Sequence, residues 1–249
     1  MNITGNTILI TGGGSGIGRA LAQALHARGN RVIVTGRREE ALRATVAANP
    51  GMAYGVLDIT DTGAIAAFAR RVTADHPALN VVVHNAGVML VEDLAAGAFD
   101  LGPVEATIAT NLLGPIALTS ALLPHLLARP AATVVTVSSG LAFTALAATP
   151  TYCATKAAIH SWSQSLRRQL SGTSVEVLEL APPAVATDLM PGHADNPHSM
   201  PLADFTAEAV ALIEAGDTPR GEILVRNVLP LRFSEVNGYA AMFDALNGG

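Results

Sequence analysis

A glycine-rich turn between a short apolar stretch and a helix-forming stretch constrains the fold of this 249-residue chain most strongly. Residues 7–10 form a β-branched apolar run, and residues 19–25 are rich in Ala and Leu, which favours a helix. Glycines between them let the backbone turn tightly and approach an anion at the helix N-terminus, where unpaired N–H groups favour negative charge. The sequence therefore predicts a phosphate-binding turn rather than one that is merely flexible. Its predicted binding residues are Gly12, Gly14, Ser15, Gly16, Ile17 and Gly18.

Short apolar runs alternate with helical stretches along most of the chain. The runs are continuous rather than alternating in polarity, which is typical of parallel strands buried on both faces. They occupy residues 7–10, 31–35, 53–57, 80–84, 133–137, 174–180 and 222–225. We predict an α/β fold with a single doubly wound parallel sheet of about seven strands, flanked by helices, in one domain that spans residues 1–249.

The alternation breaks between residues 188 and 202, where the chain has three prolines, Gly192, His193 and His198. Long irregular segments in compact domains are often lids, so this stretch predicts a flexible flap over a substrate site. A plain solvent-exposed loop fits the same residues. The two histidines are either ligands or substrate contacts, or simply solvated.

Composition bears on the remaining classes of protein. The net charge is −5 and the arginines are scattered, which argues against nucleic-acid binding. We find no leader sequence and no run of 18 apolar residues, and we expect a cytoplasmic protein without a membrane segment. The single cysteine, Cys153, excludes an intrachain disulfide, and the seven histidines lack metal-binding spacing, so we predict no metal.

The only lysine, Lys156, follows Tyr152 by four residues. On a helix this spacing places the ammonium beside the phenol. A cation about 5 Å away at an effective dielectric constant of about 20 contributes roughly 3 kcal/mol, which would lower the pKa of the phenol by about 2 units. The pair therefore predicts an acid–base tyrosine, although an ordinary helix-face pair has the same spacing.

The Gly-x-x-x-Gly-x-Gly turn and the distant Tyr-x-x-x-Lys pair resemble the short-chain dehydrogenase/reductase family over essentially the whole chain. The resemblance implies a catalytic set of Asn111, Ser139, Tyr152 and Lys156, with Ser138 as an alternative to Ser139. It also implies a nicotinamide cofactor. Besides the glycine turn, Tyr152 and Lys156, the implied contacts to that cofactor are Asp58, Ile59, Asn85, Ala86, Gly87, Pro182, Val185 and Thr187.

Two residues depart from the family pattern. The family usually has Asn in place of His84 and Gly in place of Pro183. We interpret His84 as a packing or hydrogen-bonding residue at a strand end. Pro183 removes a backbone donor beside the expected nicotinamide.

The end of the second predicted strand favours NADP(H) over NAD(H). No acidic residue stands there to bind a ribose 2′-hydroxyl; the chain instead has Arg37 and Arg38, which can pair with a 2′-phosphate. The alternative is a solvated arginine pair at the start of a helix.

The resemblance implies hydride transfer between NADP(H) and a carbonyl or secondary alcohol. Leu141, Phe143, Leu146, Met89 and Leu90, with the flap, would line an apolar pocket and favour a hydrophobic substrate. Helices starting near residues 103 and 151 pair across a twofold axis in the family, so we expect a homodimer or homotetramer. The alternatives are a non-catalytic NADP(H)-binding sensor or scaffold, and epimerase or dehydratase chemistry on the same fold.

Overall fold

The computed structural model describes residues 1–97, 100–190, 192 and 194–248. Seven strands form one sheet in the order β3-β2-β1-β4-β5-β6-β7, and every neighbouring pair is parallel. The strands are β1 Thr7–Thr11, β2 Arg31–Gly36, β3 Ala53–Val56, β4 Leu79–His84, β5 Ala132–Val137, β6 Val175–Leu180 and β7 Glu222–Ile223. The predicted doubly wound parallel sheet is confirmed. The last strand is shorter than predicted, because its pairing with β6 ends where β6 itself ends, at Leu180 and Ile223.

Helices cover both faces of the sheet. They are α1 Gly16–His26, α2 Glu39–Ala47, α3 Thr62–Asp75, α4 Gly102–Ile108, α5 Gly114–Leu127, α6 Pro150–Gln169, α7 Leu202–Ala215, α8 Leu229–Arg232, α9 Ser234–Asn237 and α10 Tyr239–Asn247. Alternate residues of β1 face opposite sides: Ile8 and Ile10 pack with α1, whereas Leu9 packs with α3 and α5. Burial of β1 on both faces explains its continuous apolar sequence.

One π-helical turn, Ala109–Leu113, joins α4 to α5. The combined helix, residues 102–127, is long and apolar enough to cross a membrane by length and composition, which the sequence analysis did not detect. However, 44% of its most apolar window is buried inside the protein, and Leu118, Leu122 and Leu126 lie fully in the core. Part of the apolar character of this helix therefore reflects packing against the sheet.

His84 ends β4 inside the protein, as a packing and hydrogen-bonding residue. Its Nε2 lies 2.7 Å from the Thr119 hydroxyl on α5, and complete burial lowers the pKa of the imidazole to about 4. Because the unfolded chain binds this proton near pH 6.5, the stabilising contribution is fully present above that pH and is lost as the pH falls towards 4.

As the pH is lowered across this window, we expect His84 alone to decrease the free energy of unfolding by about 1.4 kcal/mol per pH unit. Urea unfolding of the wild type and of His84→Asn at several pH values measures this contribution. Asn keeps a polar group near Thr119 but does not titrate. The free energy of unfolding of the variant should therefore change less steeply with pH, by the slope that one proton contributes. Parallel curves for the two proteins would show that His84 is not buried and neutral.

Candidate active site

The glycine turn packs tightly against β2 and the segment after β4. Gly12 and Gly16 have φ values of +68° and +50°, in the left-handed region that favours glycine. A Cβ on Gly18 would lie 2.3 Å from Asn85 Nδ2, and one on Gly13 would lie 2.5 Å from Val34 Cγ1. Gly13 is not among the predicted site residues, because only the tertiary contact with β2 shows why a side chain is excluded there.

The N-terminus of α1 suits an anion. Its N-cap residue, Ser15, makes no side-chain capping bond, and the first turn contains no acidic residue. Arg38 Nη2 instead donates to Ser15 Oγ at 3.0 Å, and the exposed Arg37 stands beside it at the end of β2. Free backbone N–H groups and two guanidinium groups thus converge where the sequence predicts phosphate binding, so these residues fit a dinucleotide.

Thr11 is a supporting residue that the sequence analysis missed. Its Oγ1 accepts hydrogen bonds from the backbone N–H groups of Asn85 and Ala86, both at 3.0 Å. In return, Asn85 Nδ2 donates to the Thr11 carbonyl oxygen at 3.0 Å. These bonds fasten the ends of β1 and β4 together and hold Asn85, Ala86 and Gly87 along the cavity wall.

Asp58 lies beside the cavity, whereas Ile59 lines it. Burial disfavours the Asp58 carboxylate, but hydrogen bonds from the backbone and hydroxyl of Thr60, with the charge of Arg37, lower its pKa below the ordinary value. Oδ1 accepts both Thr60 bonds, at 2.9 and 2.8 Å. The predicted contact of Asp58 with a cofactor stays a prediction.

Ser139, Tyr152 and Lys156 are buried together at the carboxyl end of the sheet. Ser139 follows β5, while Tyr152 and Lys156 lie one turn apart on α6, and all three line the same cavity as the glycine turn. Lys156 Nζ donates to the Val137 carbonyl oxygen at 2.8 Å and lies 5.5 Å from the centroid of the Tyr152 ring.

The predicted net lowering of the Tyr152 pKa is wrong for the protein alone. Burial raises the pKa of the Tyr152 phenol to about 12, and a hydrogen bond from Ser139 offsets only part of that increase. Burial also lowers the pKa of Lys156 to about 8, so the lysine loses its charge at a lower pH than an exposed lysine does. The helical spacing was read correctly, but the cost of burying both groups exceeds the attraction estimated from spacing.

Ser138 lines the cavity beside Ser139, and its buried Oγ has no hydrogen-bond partner in the described part of the chain. Ser139 Oγ, by contrast, accepts from Leu141 N at 3.1 Å and also interacts with the Tyr152 phenol. The contact with Tyr152 favours Ser139 of the two predicted serines.

Asn111 lies in the π-helical turn, outside the cavity wall. Its Oδ1 accepts from Val88 N, and its Nδ2 donates to Val88 O, both at 2.9 Å, and to Thr155 Oγ1 at 3.2 Å. The side chain therefore fastens the segment after β4 to α6, next to Lys156. These bonds use both protons of Nδ2 and one lone pair of Oδ1, and the predicted water-linked relay through Asn111 stays a prediction.

Residues 182–187 run along the cavity after β6. The Pro182 carbonyl accepts from Gly140 N at 2.8 Å, and Val185 forms an isolated parallel bridge with Met200. Thr187 faces Gly16 across the cavity, where a Cβ on the glycine would approach its side chain to 3.6 Å. Pro182, Pro183, Val185 and Thr187 all line the cavity. Pro183, without a backbone N–H, thus occupies a cavity-wall position.

The bridge at Met200 returns the predicted flap to the cavity edge. Asn196 and His198 line the cavity, and Ser199 is mostly buried. Pro191 and His193 lie outside the described residues. The predicted flap thus borders the site, and its mobility stays a prediction.

The cavity continues from the serine and tyrosine into an apolar end. Four of the five predicted apolar residues line it, but Phe143 does not: its ring packs edge-on against His160 and under Arg232 instead. The apolar lining comprises Met89, Leu90, Leu141, Leu146, Leu189, Met190, Leu231, Ala245 and Leu246.

Leu231, Ala245 and Leu246 come from the C-terminal helices, which the sequence analysis did not connect with the site. Asn247 holds α10 in place: its Oδ1 accepts from Ala147 N at 2.6 Å, and its Nδ2 donates to Ala145 O at 3.1 Å. A contact across a hundred residues leaves no local signal in the sequence.

The cavity has a volume of about 960 Å³ and joins the glycine turn to the tyrosine and lysine. Its size and position, at the carboxyl ends of parallel strands where the strand order reverses, define a Rossmann-type dinucleotide-binding protein. Within the described ranges, no group of three or more His, Cys, Asp or Glu side chains is arranged to hold a metal ion.

Comparison with known proteins identifies the family. The short chain dehydrogenase family model matches residues 6–197, and the chain belongs to this family of oxidoreductases. The uncharacterized oxidoreductase DltE from Bacillus subtilis (strain 168) is 44% identical over 189 residues, which cover 76% of this chain and 75% of the relative.

Two solved structures share the fold. A short chain dehydrogenase from Burkholderia cenocepacia J2315 in complex with NADP has a TM-score of 0.84 at 23% identity, with 99% of each chain covered. A short chain dehydrogenase/reductase from Burkholderia phymatum in complex with NAD has a TM-score of 0.82 at 20% identity, covering 99% of this chain and 97% of that one. The fold thus accommodates either dinucleotide.

Proposed function

We propose that the chain reduces a hydrophobic ketone or aldehyde to the alcohol with NADPH, and catalyses the reverse oxidation with NADP⁺. The observation that carries the proposal is the placement of Ser139, Tyr152 and Lys156 on the wall of one cavity with the glycine turn. This cavity brings the glycine turn and the acid–base residue Tyr152 together, as transfer of a hydride and a proton within one site requires.

Tyr152 is the proton donor in this proposal. Because burial raises its pKa to about 12, the phenol is protonated at neutral pH and able to give its proton to the carbonyl oxygen. The reductive direction needs this acid form, whereas alcohol oxidation needs the phenolate and should accelerate as the pH rises.

Ser139 and Lys156 assist Tyr152. The Ser139 hydroxyl donates a hydrogen bond to the same substrate oxygen, where negative charge accumulates in the transition state. Lys156 places a positive charge below the phenol and favours the phenolate that proton donation leaves behind. Asn85 to Gly87, Pro182 to Val185 and Thr187 border the place where a nicotinamide would bind, and that group would supply the hydride for the carbonyl carbon.

Arg37 and Arg38 support the preference for NADP(H). Both are exposed at the end of β2, beside the anion-binding N-terminus of α1. No acidic residue replaces them at the strand end to bind a ribose 2′-hydroxyl, so the local charge suits a 2′-phosphate.

The apolar end of the cavity supports a hydrophobic substrate, since leucines and methionines surround the space next to Tyr152. We further propose a cytoplasmic homodimer or homotetramer without a nucleic-acid partner. The exposed Leu113 and Leu127, on the π-helical turn and α5, lie on the helical layer expected to pair.

A panel of hydrophobic ketones, aldehydes and alcohols tests the activity by the loss or gain of NADPH absorbance. We expect turnover with at least one carbonyl and loss of turnover in Lys156→Ala. NADPH binding without turnover on any compound would instead indicate a sensor or scaffold. Product formation without net cofactor oxidation would indicate epimerase or dehydratase chemistry.

A further inference from the structure

A row of buried polar side chains crosses the sheet beneath the helix that carries Tyr152 and Lys156. The register places Thr136 on β5, Glu179 on β6 and Glu222 on β7 side by side. Glu179 has no exposed surface and Glu222 is only 3% exposed. Burying a carboxylate costs free energy unless it is hydrogen-bonded or paired with a cation, so each carboxylate requires a partner.

Glu222 has a full ionic partner. Arg232 on α8 donates from Nε and Nη2 to the two Glu222 oxygens, at 2.7 and 2.9 Å. The Arg232 guanidinium also lies over the Phe143 ring, 4.5 Å from its centroid. This bidentate pair balances the charge of Glu222 locally.

Glu179 is partnered differently. His160 Nδ1 lies 3.0 and 2.8 Å from the two Glu179 oxygens, and His160 Nε2 lies 3.0 Å from Gln164 Nε2. With a proton on Nδ1, the imidazole donates to the Glu179 carboxylate and holds it beneath α6. In the described part of the chain, Glu179 forms no ion pair with lysine or arginine. Glu179 is thus held by a histidine, whereas Glu222 is held by an arginine.

Lys156 is the cation on which the charge of Glu179 acts. It lies one helical turn before His160 on α6, and its Nζ is bonded to Val137, on the strand next to Glu179. Burial lowers the pKa of Lys156, and the charge of Glu179 acts in the opposite direction.

Other charged groups face this cluster from the surrounding elements. Arg232 on α8 interacts with the charge of Glu179, and Arg220, before β7, acts on Glu222. Tyr152 lies beyond Lys156 on α6. Glu222 is matched by its own arginine, so Glu179 is the carboxylate that acts on the lysine.

We propose that Glu179, oriented by His160, is the buried counter-charge that keeps Lys156 protonated. Glu179 is a positioning residue, because it acts through Lys156 and not on a substrate. Its catalytic consequence rests on the proposed function, but the charge relation itself requires neither substrate nor cofactor.

The single lysine makes a direct test feasible. In protein labelled with lysine carrying ¹³C at Cε, Lys156 gives the only lysine resonance, whose chemical shift follows its protonation. We expect a pKa of about 8 in the wild type. In Glu179→Gln the midpoint should fall by about one pH unit, because a nearby negative charge is removed.

Two variants control the titration. Glu222→Gln removes an equally buried carboxylate from the neighbouring strand and should leave the Lys156 midpoint unchanged. Glu179→Asp keeps the charge and should restore most of the wild-type midpoint. Equal midpoints in the wild type and Glu179→Gln would overturn the proposal. A wild-type lysine that titrates below about pH 7, as buried lysines without a counter-charge do, would overturn it even if no Glu179 variant folds.

Kinetics then separates this inference from the proposed function. For carbonyl reduction, kcat should decline at alkaline pH as Lys156 loses its proton. This decline should move to lower pH in Glu179→Gln and should not move in Glu222→Gln. If no carbonyl is turned over, the proposed function fails while the NMR titration still decides the role of Glu179. If turnover occurs and neither the titration nor the kcat profile shifts, only the role of Glu179 fails.

Discussion

Tyr152→Phe is expected to lower kcat for carbonyl reduction by about 10²–10⁴-fold, the range that a positioned general acid contributes. Phenylalanine fills the same buried space against Met89 and Cys153, so the substitution removes the proton donor without opening a cavity. Affinity for NADPH, measured by fluorescence or calorimetry, should be largely retained, because the glycine turn and the arginines are untouched and Tyr152 is one of many predicted cofactor contacts.

A matched control is Tyr54→Phe. Tyr54 lies on β3, where its hydroxyl donates to Glu39 at 3.0 Å. β3 is the strand at one edge of the sheet, whereas the helix with the tyrosine–lysine pair packs on β5 and β6. This variant also loses one phenol hydroxyl and should retain full kcat. Wild-type turnover in Tyr152→Phe would assign the proton transfer to another group.

Arg37→Asp is expected to change the preference between NADPH and NADH by about 10²-fold, from the loss of a charge-assisted hydrogen bond and the added repulsion of a 2′-phosphate. NADPH binding should weaken, whereas NADH binding should be unchanged or strengthened, since an aspartate there can accept a bond from a ribose hydroxyl. Titration of the protein with both dinucleotides measures the ratio.

Arg70→Asp, on the exposed surface of α3, controls for the change in net charge. It should bind both dinucleotides as the wild type does. An unchanged NADPH to NADH ratio in Arg37→Asp would remove Arg37 from the cofactor site and leave the preference with Arg38 or with neither arginine.

The strands and the glycine turn were predictable because their causes are local. A strand buried on both faces needs continuous apolar residues, and a turn that approaches a neighbouring backbone needs glycine. Five of the six predicted turn residues line the cavity; the sixth, Gly18, supports the turn by close packing against Gly12 and Asn85.

The electrostatics could not be predicted from spacing. The Tyr152–Lys156 spacing is correct, but the pKa of each group depends on burial that many distant elements create together. Glu179 was missed for the same reason, because it lies on β6 and meets α6 only in the folded sheet.

The substrate side was the least predictable part of the site. Leu231, Ala245 and Leu246 reach the cavity through helices that follow the last strand, and Asn247 anchors them to residues about a hundred positions away. Phe143 was assigned to the pocket from its position between Ser139 and Tyr152. The Phe143 ring lies outside the cavity wall, because it packs under the Arg232 guanidinium and edge-on against the His160 ring.

Transfer of deuterium to a carbonyl from NADPH that carries deuterium at both C4 positions of the nicotinamide tests the central claim most directly. Mass spectrometry of the alcohol should show one deuterium on the carbinol carbon with the wild type and almost no labelled product with Tyr152→Phe. A wild-type protein that binds labelled NADPH but transfers no deuterium to any carbonyl in a broad panel would contradict the claim that this site catalyses hydride transfer.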